Sequence, residues 1–288
     1  MTAAVTASGP PDRSLGPRML NKVPEITLWF WVIKILCTTV GETASDYLQS
    51  NLGWGLTNTT YVTGAVLAGV LIAQFRLRRY VPAVYWAAVV LISVVGTQIT
   101  DNLVDNQGVA LRTTVIVFSI ALAAAFAAWY ASERTLSIHT IVTTRREAFY
   151  WLTILFTFAL GTAAGDYLAE TLAIGYWKSA LLFGAAIAVI TVAHYRLRLN
   201  AVLAFWLAYI LTRPLGASIG DYLSQPTGDG GLGWGTTTTS LVFLAAILSV
   251  VVYLSITRRD VIELAKPTGE EPRHPISGGD ARPAPEAG

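Results

Sequence analysis

Cysteine, histidine and charge are all scarce in this chain. Its single cysteine, Cys37, leaves no partner for an internal disulfide and no Cys-pair metal motif. Charged residues are only 13% of the sequence, about half the share of an ordinary soluble domain. A net charge of +2 is too small to point to nucleic acid. The three histidines fall at His139 in a loop, His194 at a helix end and His274 near the C-terminus, so no Ser, His and Asp set comes together. No glycine loop ending in Lys and Ser or Thr is present, which excludes P-loop nucleotide hydrolysis. The chain is not expected to be an enzyme and carries no sure cofactor signature.

What fills the sequence instead is apolar length. Hydrophobic residues make up 53% and the mean hydropathy is +0.53. Eight apolar runs lie near 27 to 47, 57 to 75, 83 to 103, 112 to 130, 148 to 168, 178 to 195, 202 to 222 and 237 to 256, each close to the roughly 20 residues that cross a bilayer core. The expected fold is an all-α membrane protein of eight transmembrane helices, with the lipid bilayer as its surroundings. Residues 1–21 hold no apolar core long enough for a secretory signal, and 260–288 are Pro, Gly and charge. Both read as disordered tails.

Lys and Arg set an orientation. With the N-terminus in the cytoplasm, sixteen of the 20 basic residues fall on that side, and only Arg112 and Lys178 on the other. Lys34 and Arg213 lie inside spans. Both termini are therefore placed in the cytoplasm.

The odd-numbered runs repeat one another. They read "FWVIKILCTTVGETASDYL", "YWAAVVLISVVGTQITDNL", "YWLTILFTFALGTAAGDYL" and "FWLAYILTRPLGASIGDYL". Trp31, Trp86, Trp151 and Trp206 are followed, without a gap, by Gly41, Gly96, Gly161 and Gly216 and then by Asp46, Asp101, Asp166 and Asp221. The spacing predicts four two-helix hairpins in two parallel, pseudo-symmetric halves, 22–133 and 148–259, joined by a cytoplasmic linker at 134–147. In these residues the chain resembles the bacterial membrane proteins built from four copies of a two-helix repeat of unknown function. The resemblance implies the architecture and supplies no catalytic residues; the expected location is a bacterial inner membrane.

Acidic residues in such runs need a reason. Helix positions four apart share a face, which puts Glu42, Thr97, Thr162 and Ala217 one turn inside the four aspartates, and Ser50, Asp105, Glu170 and Gln225 one turn outside. Each odd helix then carries a stripe of oxygens, poorest in the fourth repeat. Carboxylates near helix C-termini are disfavoured by the dipole. One remedy is a bound cation on Glu42, Asp46, Asp101, Asp166 and Asp221, a hard oxygen set suited to Mn²⁺ or Mg²⁺, with Thr97 and Thr162 beside them and Asp105 and Glu170 as an outer vestibule. The other is that the aspartates cap a following segment.

Lys34 and Arg213 are candidate internal counter-charges. Arg213 needs a partner on another helix, and Glu42 is the best placed. The glycines read as close helix contacts and the tryptophans as interface anchors. Intramembrane carboxylates point to function. The first expectation is a secondary transporter of a small cation, a divalent metal or proton-coupled. A passive channel and a non-transporting scaffold or sensor are the alternatives. An intramembrane aspartyl hydrolase fits less well than a lined path, and the sequence sets no oligomeric state.

Overall fold

The computed structural model describes residues 21–51 and 53–260. Eight long helices account for most of them: α1 Leu28–Asn51, α2 Leu56–Arg76, α3 Pro82–Asp101, α4 Leu111–Glu133, α5 Thr144–Asp166, α6 Tyr176–Leu197, α7 Ala201–Ser224 and α8 Thr236–Thr257. No strand occurs among the described residues. Local chemistry marks several ends. Pro82 opens α3, where its missing N–H costs nothing. Thr143 accepts from the Arg146 amide at the start of α5, and Asn200 accepts from Val202 and Leu203 at the start of α7.

Seven of the helices, α2 to α8, are long and apolar enough to cross a membrane. The exception to the eight expected spans is α1, which has 24 residues but spends Lys34, Glu42 and Asp46 within them.

Helices α1, α3, α5 and α7 pack in a closed ring in that order, with α7 returning to α1. Each even helix leans on the odd helix of the next repeat: α2 on α3, α4 on α5, α6 on α7, and α8 on α1. This corrects the hairpins. The two helices of one repeat scarcely touch, because the second helix leaves its own partner to cover the next. Side chains on the outer helices, such as Ile120 and Leu248, 65% and 62% exposed, suit a lipid surround. Ile138 and Ile141 within 134–147 are buried, as are Asn21 and Asp260. The rest of both tails lies outside the described residues.

Close approach within the ring follows one rule. A Cβ placed on Gly41 would meet Ser93, on Gly96 Phe158, on Gly161 Arg213, and on Gly216 Thr38. Each signature glycine thus receives the residue three before the glycine of the next ring helix. At Gly161 the hypothetical Cβ falls 2.3 Å from Arg213 Cγ, so only glycine leaves room for the arginine.

The tryptophans require a correction. Trp86, Trp151 and Trp206 are 1%, 4% and 4% exposed and pack inside the bundle; only Trp31 is half-buried. Their neighbours Phe30, Tyr85, Tyr150 and Phe205 form an aromatic layer across the ring. The Tyr85 and Tyr150 hydroxyls are hydrogen-bonded to each other, and the Phe30 and Phe205 rings lie 6.0 Å apart. This layer fills the half of the ring nearer residues 21–27 and 258–260, called here the terminal end.

Candidate functional site

The opposite half of the ring holds the carboxylates. Glu42, Asp46, Asp101, Asp166 and Asp221, with Gln49, Asp105, Glu170 and Gln225, line a cavity of about 160 Å³. The exposed residues Asp105 and Glu170 stand at its outer rim. All four ring helices contribute, so the cavity exists only because the ring closes.

The carboxylates are not helix caps. Asp46 and Asp221 lie inside unbroken helices. Asp101 and Asp166 each precede a wider π-type turn, Asn102–Asn106 and Tyr167–Thr171, but keep helical backbone angles and make no capping bond. Such π turns recur at functional sites.

Glu42, Asp166 and Asp221 converge most closely, with one carboxylate oxygen from each within 4.8 Å of the others. Asp46 and Asp101 are held differently. Gln49 Nε2 donates to Asp101 Oδ2 at 2.6 Å, and Gln225 Nε2 donates to Asp46 Oδ2 at 3.4 Å. The fourth repeat, poorest by sequence, therefore supplies one of the three converging acids. Ala217, buried beneath Asp221, brings no hydroxyl of its own. In the first repeat the cavity is lined by Gln49, not by Ser50, whose hydroxyl donates to the Asp46 carbonyl. The i+3 neighbour of Asp46 shares its stripe as well as the i+4 neighbour does, and that was the signal available.

Arg213, fully buried and outside the lining of the cavity, holds Glu42 from behind. Its Nη2 donates to Glu42 Oε2 at 2.7 Å, to Thr162 Oγ1 at 2.6 Å and to Thr97 Oγ1, while Nη1 donates to the Thr38 carbonyl at 3.5 Å. One side chain from α7 thereby touches α1, α3 and α5. Removing a charge pair from water costs several kcal/mol per ion unless further hydrogen bonds compensate, and the threonines supply them. Thr97 and Thr162 are held by Arg213 and do not line the cavity, although Thr97 Oγ1 also donates to Glu42 Oε2 at 3.4 Å.

Lys34, the other candidate counter-charge, makes no ion pair among the described residues. Its Nζ is fully buried and, among the described residues, has no hydrogen-bond partner. It lies 4.2 Å from the ring centres of both Phe158 and Tyr209, an arrangement that offsets burial of a cation in part. Arg213 takes the place beside Glu42, and the Lys34 amine is stacked between the Phe158 and Tyr209 rings.

No curated protein and no solved structure matches the chain. Four successive stretches, 29–80, 84–135, 149–200 and 204–260, match the family model described as Repeat of Unknown Function (DUF347). Each begins shortly before a signature tryptophan or its aromatic neighbour and takes in one ring helix with the outer helix that follows. With most of its length in those four matches, the chain belongs to the DUF347 repeat family.

Proposed function

We propose that this protein is a secondary transporter of a small cation in a bacterial inner membrane, with its terminal end in the cytoplasm and its acidic cavity facing outward. The observation that carries the reading is the convergence of Glu42, Asp166 and Asp221 to within 4.8 Å in a cavity shared with two further aspartates. Ionised carboxylates at that separation repel one another by about 3 kcal/mol per pair at an effective dielectric of about 20. A cation or shared protons among them would offset the repulsion, and an all-oxygen donor set favours Mn²⁺ or Mg²⁺. A passive channel is less well supported, since Arg213 and the aromatic layer fill the ring below the cavity.

Arg213 adds a coupling logic. It is a tethered cation that already neutralises Glu42, so an arriving divalent ion must share that carboxylate or displace the guanidinium from it. Transport then requires a local rearrangement of α7, where Pro214 removes one helical N–H and loosens the turn.

The test is flux. The full chain in liposomes should carry Mn²⁺ or Mg²⁺ into the lumen, faster when protons can move in exchange. Absence of flux for divalent ions and for protons, together with no thermal shift on adding either metal, would remove the transport reading and leave a scaffold or sensor.

A further inference from the structure

At the terminal end of the ring a stretch of chain that precedes α1 is tied to other elements. Residues 21–27 form no helix, yet Lys22 and Val23 are 1% and 3% exposed. Within the ring, α1 and α5 are not neighbours; α3 and α7 stand between them. Lys22 nevertheless reaches across. Its Nζ donates to Glu147 Oε2 in the first turn of α5 at 2.6 Å and to the Phe75 carbonyl at the end of α2 at 3.0 Å. Gln74 Nε2 donates to the other Glu147 oxygen at 3.1 Å, and the Lys22 amide donates to the Ile141 carbonyl at 3.4 Å. On the other side the Glu25 amide donates to the Asp260 carbonyl at 2.9 Å. Asp260 Oδ2 accepts from the Tyr80 hydroxyl at 2.6 Å, whose oxygen accepts from Trp86 Nε1 at 3.1 Å.

We propose that residues 21–25 are a strap across the terminal mouth of the ring, locked by the Lys22 and Glu147 ion pair, and that its release opens this end of the protein. The two buried ion pairs differ in what breaking them costs. Arg213 and Glu42 sit deep among spanning helices, whereas Lys22 lies outside any helix and Glu147 in the first turn of α5, where both groups can regain water on release. Glu147 in the first turn of α5 is further favoured as a free carboxylate by the helix dipole. A lock of this kind opens reversibly, as low-stability segments at functional sites do. The proposal goes beyond the cation reading and concerns access to the ring, whatever passes through it.

Two cysteine reporters test it, each in a full-length Cys37→Ala chain, which removes the only native thiol. Val23→Cys reports the strap itself. Val89→Cys, at a site 0% exposed one turn inside Tyr85, reports the ring interior. In membrane vesicles exposing the terminal end, both should react slowly with a small maleimide. Glu147→Gln or Lys22→Met should speed both by on the order of tenfold, and the exchanged pair Lys22→Glu with Glu147→Lys should restore slow labelling. Rescue by the exchange separates release of the strap from general unfolding. Faster labelling that the exchange fails to slow would mean unfolding and would overturn the lock. An unchanged Val23→Cys rate in the single variants would overturn it as well. Faster labelling at Val23→Cys with none at Val89→Cys would reduce the segment to a surface tether. No cation flux is read, so this result and the transport test fail independently.

Discussion

Arg213 on α7 and Glu42 on α1, 171 residues apart in the chain, meet at 2.7 Å inside the ring. The contact ties the last repeat to the first and fixes one of the acidic residues that line the cavity. A lysine there would be a point charge, whereas the planar guanidinium reaches a carboxylate, two threonine hydroxyls and a carbonyl together.

Removing one member of this pair should be costly and removing both much less so. Arg213→Gln leaves a buried carboxylate without its cation, a loss of about 3–5 kcal/mol. Glu42→Gln in the same chain should recover a large part of it. Unfolding of the four purified proteins in detergent gives the coupling; strict additivity would mean the two residues do not depend on each other.

Gly161→Ala should destabilise by about 1–3 kcal/mol, because the new methyl would overlap Arg213 and overpacking carries that cost. Gly64→Ala on the outer helix α2 meets nothing within 4 Å and should be neutral or stabilise by up to about 1 kcal/mol. Melting temperatures of the two variants check the contrast, and similar values would refute the close-contact account.

If the cation reading holds, the carboxylates should not be equivalent. Asp166→Asn and Asp221→Asn each remove charge from the converging trio and should weaken a Mn²⁺-dependent thermal shift by on the order of tenfold or more. Asp46→Asn and Asp101→Asn, whose side chains already accept from glutamine amides, should be milder. Expression should stay normal throughout, since no aspartate caps a helix. An equal and full response in all four variants would rule out a coordinating role.

Asp260 offers a pH test outside the spans. Burial pushes its carboxyl above the ordinary aspartate range, while the Tyr80 hydroxyl bond pulls the other way. A carboxyl that holds its proton more tightly when folded favours the folded state at low pH. That contribution is lost as pH rises from the ordinary value, about 3.9, through the raised one. Asp260→Asn keeps an acceptor for Tyr80 without the charge, so stability should fall less steeply with rising pH in the variant. Identical slopes would show that Asp260 does not titrate in this way.

Orientation can be read directly. A reporter active only in the cytoplasm should work when fused after Arg78 or Arg146 and fail after Trp54 or Asp229. Activity at Asp229 would invert the protein and place the acidic cavity on the cytoplasmic side.

Helix positions, the fourfold register of tryptophan, glycine and aspartate, and the need of Arg213 for an acidic partner were all legible in the sequence. They depend on apolar length and on spacing along one helix, and both are local properties. Glu42 could be named as that partner because a buried guanidinium leaves few choices. Spacing along a helix does not say which helices become neighbours. The ring order, the covering of each odd helix by the preceding repeat and the meeting of Asp221 with Glu42 and Asp166 arise only when α7 and α8 return to α1. The same closure took Thr97 and Thr162 out of the cavity, left Lys34 on aromatic faces, and carried Lys22 across the mouth to Glu147. Each of these depends on which side chains from distant stretches the closed ring brings within reach of one another, and that is a tertiary property.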